Sequence, residues 1–144
     1  MIRSRTLRAA GVLLVAVLAV ACGNGNNPFD LTVGMCFDDP DVDDGRVHEV
    51  TTADCEQPHD NEVYWVIELP DGDFPGVEDI SVIADEGCLA AFPEAIGEDY
   101  LESDYFASYL APSAGSWADG DRSIVCYAFD QDGPVTGSVR TNAG

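Results

Sequence analysis

The sequence has 144 residues, 27 acidic against six basic side chains, a formal charge of −21 and no lysine. That length holds one domain, and a surface so acidic cannot neutralise phosphates, which excludes nucleic acid as a partner. Without lysine there is no P-loop, Schiff-base or Ser-Lys chemistry, and no G-x-S-x-G nucleophile elbow occurs either.

In chain order, Arg3, Arg5 and Arg8 precede an unbroken apolar run from Ala9 to Ala21. The run is shorter than the roughly 20 residues that span a bilayer, so residues 1–21 read as a signal peptide. Ala19-Val20-Ala21-Cys22 resembles a bacterial lipobox, with Ala19 where leucine is usual. Cys22 is therefore the expected lipidation site, carrying diacylglyceryl and palmitate-type chains. Each buried methylene contributes about 0.8 kcal/mol, and two chains suffice for stable anchoring. The expected location is the outer face of the cell membrane. Residues 22–30 read as the lipidated N-terminus and a flexible tether, and 31–141 as the folded domain.

Within that domain Val33 to Phe37 is a short strand candidate, the DDPDVDDG stretch from Asp38 to Gly45 a polar acidic turn, and Val47 to Thr51 extended again. The clearest strand follows Cys55 and its Pro58-His59 turn: Val63, Trp65, Ile67 and Leu69 alternate with Glu62, Tyr64, Val66 and Glu68. A period of two predicts that the first set is buried and the second largely wet. After a turn at Pro70 to Gly76, Glu78 and Asp79 suit a helix N-terminus. Ile80, Ile83, Ala84, Cys88, Ala91, Phe92 and Ala95 then recur at three and four, one helical face, with Pro93 expected to end or kink the helix. Tyr105 to Ala111 fits a strand or a short buried turn equally well. Arg122 to Phe129 is a strand with Ile124, Cys126 and Ala128 on one face and Val125, Tyr127 and Phe129 on the other. Val135 to Val139 is expected to close the sheet.

Cys36, Cys55, Cys88 and Cys126 form an even set in an exported domain, which implies disulfides with three arithmetical pairings. Cys36 and Cys55 flank two short strands joined by the acidic loop, a local staple. Small Ala128 beside Cys126 leaves room for a closely packed helix, which pairs Cys126 with Cys88. Structural zinc is disfavoured, because there is no C-x-x-C and neither His48 nor His59 has finger-like spacing. The fold class is thus α+β: a small antiparallel sheet, one main helix packed on it, and two disulfides.

Val33-Gly34-Met35-Cys36-Phe37, Cys55-x-x-Pro58-His59-x-x-Glu62-Val63, Phe74-Pro75-Gly76, Cys88 and Trp117-x-x-Gly120-Asp121-Arg122-x-x-x-Cys126 occur together in this order. In these pieces the sequence resembles the septum formation domain family, found in exported proteins and lipoproteins of high-GC Gram-positive bacteria. Met35 departs from it, since such sequences often have a polar residue there. The resemblance implies an extracytoplasmic α+β domain with a role in cell division or envelope assembly, and it implies no reaction.

Three places carry candidate chemistry. His59, beside Asp60 and before Glu62, has the makings of a general base or pH switch; the preferred reading is a turn histidine whose ring bonds backbone. Asp39 to Gly45 begins like a calcium loop, yet the sixth and twelfth positions hold Asp44 and Val50 instead of glycine and glutamate, so a solvated acidic loop is expected. Trp117, Gly120, Asp121 and Arg122 form either a partner-binding lip or a cover for the sheet edge, with Asp121 pairing Arg122 or Arg140. No catalytic set, cofactor or metal is expected. The leading expectation is a noncatalytic lipoprotein that binds another envelope or division component. The alternatives are a cell-wall enzyme using His59 with Asp60 or Glu62, and a cation-binding acidic lipoprotein.

Overall fold

The structure is a computed structural model that describes residues 25–43 and 46–141. The expected signal peptide and the lipidation site Cys22 lie outside the described residues.

Among the described residues the strands and α-helices are β1 (Gly25–Asn26), β2 (Cys36–Phe37), β3 (Val42–Asp43), β4 (Arg46–Val47), β5 (Val50–Ala53), β6 (Asn61–Glu68), α1 (Val77–Ile96), β7 (Tyr105–Leu110), α2 (Ala114–Ala118) and β8 (Ser123–Asp130). Six strands make one sheet in the order β1-β5-β2-β6-β8-β7, every pair antiparallel. The acidic stretch after Phe37 is a two-stranded ribbon, with Val42 opposite Val47 and Asp43 opposite Arg46. The expected tether is held from Gly25 onward. Gly25 and Asn26 pair with Thr51 and Val50, and a single 3₁₀ turn at Pro28–Asp30 follows, capped by the Asn27 side chain accepting the Phe29 N–H. Leu31 then enters the interior, which fixes the turn against the sheet.

The central strand β6 does not keep its expected alternation. Val63 lies opposite Tyr127 and Trp65 opposite Cys126, so Tyr64 is an extra residue in a β-bulge. The bulge moves Val63 to the face opposite Ile67 and Leu69 and turns Tyr64 inward, while Trp65 is left 46% exposed. Glu62, expected to be wet, is buried for the same reason.

Both faces of the sheet are covered. On one, Tyr64, Ile124, Cys126 and Ala128 pack against α1; on the other, Phe37, Val50, Val63 and Val125 pack with Leu31. The expected division of β8 into two faces is therefore the one observed. In α1 the buried positions are Ile80, Ala84, Cys88, Phe92 and Ile96, a stripe at every fourth residue, while Ile83 is exposed. Pro93 does not end the helix, which runs one further turn to Ile96. The proline sits on the exposed side, and the Leu89 carbonyl, which loses the Pro93 N–H as its usual donor, belongs to an exposed residue. Gly97 closes the helix in the left-handed region, donating its N–H to the Pro93 carbonyl at 2.9 Å. A Cβ at Gly97 would run into Thr141.

Tyr105–Leu110 is a strand, the sheet edge beside β8. Val135 to Val139 is not a further strand of the sheet: it makes one bridge, Val135 to His59, and then leaves the ladder. Its backbone turns instead to Cys55, whose carbonyl accepts the Gly137 N–H at 2.7 Å, and to Glu62. The disulfides are Cys36–Cys55 and Cys88–Cys126, the pairings expected. The second ties α1 to β8 through the middle of the larger core.

Candidate binding groove

A groove of about 680 Å³ opens on the sheet face away from α1. Its volume lies in the range of small-molecule and peptide-side-chain sites. Val125, Leu110 and Val47 supply an apolar floor that continues the smaller core. Pro28 and Phe29, on the capped turn after β1, form one wall; Ser113, Ser116 and Asp121 around α2 form the other.

That second wall is built by local hydrogen bonding. Ser113 caps α2 by accepting the Ser116 N–H at 3.1 Å, and the Ser116 hydroxyl accepts the Ser113 N–H at 2.9 Å. This reciprocal pair is a capping box with serine at both ends, and it fixes a helix too short to persist alone. Asp121 is 5% exposed and engaged at both oxygens: one accepts the Ser116 hydroxyl and the other the Ser123 N–H, each at 3.0 Å. Glu49, Asp119 and Asp121 line the groove with His48, and among the described side chains no arginine does. The arrangement suits a neutral or cationic occupant and disfavours an anion.

The Trp-x-x-Gly-Asp-Arg residues are divided by the fold. Trp117 is buried in the core against α1, its indole N–H donating to the Gly72 carbonyl at 2.9 Å and its ring meeting Phe74 edge-on. The Arg122 guanidinium stacks 3.9 Å from the Trp117 ring centre and donates to the carbonyls of Trp117 and Asp121. Its ion pair is with Asp71, at 3.1 Å, and not with the Asp121 carboxylate. Trp117 and Arg122 therefore clasp the 70–76 loop to α2, and Asp121 alone of the motif's charged groups lines the groove.

His59 is 1% exposed. Its Nδ1–H donates to the Gln57 carbonyl at 2.9 Å, and its backbone exchanges two hydrogen bonds with Val135. The neighbouring carboxylates are committed elsewhere: Asp60 accepts the Asp39 N–H, and Glu62 accepts from Ser138 and Val139. His59 thus packs as a turn residue, away from the groove.

A family model described as septum formation matches residues 29–126. The chain belongs to the septum formation family. No curated protein and no solved structure matches it. The matched span includes all four disulfide cysteines, His59, the Trp117–Arg122 clasp and most of the groove. In this septum formation domain these residues serve mainly to hold the fold together: two disulfides, one buried turn and one loop clasp.

The calcium-like stretch in the septum formation domain is tied down at its start. The Asp39 carboxylate accepts the Asn61 side-chain amide at 3.0 Å, while Asp41 and Asp43 are exposed; Asp44 and Gly45 lie outside the described residues. Among the described residues, potential ligand atoms converge only at Cys36, Cys55 and Glu62, within 4.8 Å of one another, and there the two sulfurs are bonded to each other. Sequence reasoning missed the groove itself. Ser113 and Ser116, three positions apart, carried a capping signal, but the opposing wall comes from the other end of the chain.

Proposed function

We propose that this septum formation domain is a noncatalytic binding module, held by a lipid on Cys22 at the outer face of the cell membrane. It receives a segment of another envelope or division component in the groove. The observation that carries this reading is the groove: an open site of about 680 Å³ with an apolar floor and an acidic rim, in a member of the septum formation family. The rim favours a neutral or basic segment of the partner. The basic leader, the small residues before Cys22 and the two disulfides support an exported, anchored protein. The burial of His59 weighs against the enzyme reading, since a general base must reach its substrate.

Two measurements test the proposal. Mass spectrometry of the membrane-extracted protein should find the first 21 residues removed and Cys22 acylated. A photo-crosslinking residue at Asp119 or Ala111, both exposed and on the groove, should capture a reproducible partner in dividing cells, whereas one at Leu101, the 90% exposed residue after α1, should not. Equal capture from all three positions, or none from the groove, would overturn it.

A further inference from the structure

We propose that a second recess, on the α1 side of the sheet, binds the free C-terminus of a peptide ending in a small aliphatic residue. Arg140 takes the carboxylate there, and Trp65 covers the side chain. The recess has a volume of about 150 Å³, room for one small apolar group, and lies between Trp65, Val33 and the helix positions Ala91 and Ala95. It exists because of the β6 bulge: Tyr64 takes the interior position, and Trp65 is left at the surface.

The cation decides the ligand class. Acidic side chains far outnumber basic ones in this chain, and Arg122 is already paired with Asp71. Among the described residues the Arg140 guanidinium has neither an ion pair nor a hydrogen bond, and its Nε is buried without a partner. An arginine held close over the Gly34 backbone, where even a Cβ would come within 3.1 Å of Nη1, is not a freely solvated side chain. A ligand carboxylate meets the guanidinium through its Nη1 and Nη2 N–H groups, a planar fork that fits the two oxygens in parallel bonds.

The remaining lining narrows the choice. Glu94 also borders the recess, beyond ion-pair distance of Arg140. Its charge opposes a dianion such as phosphate more strongly than a singly charged carboxylate, and its oxygens offer an acceptor to an amide N–H. A C-terminal residue presents all three complements together: a carboxylate for the guanidinium, a small side chain for the apolar wall and an N–H for Glu94. The site shares no residue with the groove and stands whether or not the groove binds a partner.

Intrinsic fluorescence reads the recess directly, because the only other tryptophan, Trp117, is buried. The full-length oxidised protein is titrated with N-acetyl-alanyl-alanine, with its C-terminal amide and with inorganic phosphate. The free acid should shift Trp65 emission saturably below about 10 mM, and the amide and phosphate should bind at least about tenfold more weakly. Arg140→Gln should weaken the acid at least about tenfold; should that variant fail to fold, Ala91→Leu, which fills the recess from α1, should abolish the response. No saturable response to the acid, equal binding of acid and amide, phosphate binding as well as the acid, or an unchanged response in either folded variant would overturn the proposal.

Discussion

The Val139 N–H donates to the Glu62 carboxylate at 2.6 Å, although the two residues are 77 positions apart, and the Ser138 hydroxyl donates to the same carboxylate at 2.7 Å. The side chain buried in the central strand is thus the anchor for the segment that follows β8. That segment in turn delivers Thr141 to the end of α1, where its N–H meets the Ala95 carbonyl at 3.0 Å. It also seats Arg140 beside Trp65.

Glu62→Ala should lower unfolding stability by about 2–4 kcal/mol, because it leaves the buried Val139 amide without an acceptor. Glu62→Gln keeps an acceptor of the same shape and should lose less. Urea unfolding of the two variants checks the order, and hydrogen exchange should show the 135–141 segment opening first in Glu62→Ala.

Each disulfide should contribute according to the loop it closes. The spans are 19 residues for Cys36–Cys55 and 38 for Cys88–Cys126. Chain-entropy estimates are then about 3 and about 4 kcal/mol, so replacing both cysteines of the α1–β8 pair by alanine should cost more than replacing the other pair. Denaturant unfolding of the two double variants measures the difference.

The domain should lose stability in alkali through Tyr64. Burial, with Tyr100 nearby, pushes the Tyr64 hydroxyl above its ordinary range, and it donates to the Cys88 carbonyl at 2.9 Å. A folded-state value above the unfolded one means that the stabilisation is complete below about pH 10 and declines as pH rises beyond that. Tyr64→Phe should be about 1 kcal/mol less stable near neutrality and show a shallower alkaline decline. Urea midpoints compared between about pH 8 and about pH 11 give both quantities.

Trp117→Ala should destabilise by about 3–5 kcal/mol, since it removes a large buried ring together with the support for Phe74 and Arg122. Arg122→Ala should cost less, about 1–2 kcal/mol, by removing the stacked guanidinium and its bonds to two carbonyls. In both variants amide exchange over residues 70–76 should quicken, because the clasp on that loop is lost.

Local pattern carried much of the fold into view. The helix announced itself through apolar spacing from Ile80, and β8 through alternation that pairing with β6 and β7 left intact. Both disulfides followed from which elements carry the cysteines. Alternation misled in β6, because one inserted residue reverses every assignment before it: Val63 changed faces, and Glu62 went inside. Val135 to Val139 looked extended for the same local reason, yet its hydrogen bonds go to Cys55 and Glu62 and not to a neighbouring strand.

Taken by itself, the sequence determined the α+β class, the cysteine pairs and the family, since these rest on residue types at short or regular spacing. Tertiary structure alone decided where the carboxylates of Glu62 and Asp121 point, that His59 is enclosed, and that Arg140 stands unpaired among the described residues beside Trp65. The physical reason is distance along the chain. A side chain's burial and hydrogen-bond partners are set by segments that meet only when the sheet closes, and no local period records which segments those will be.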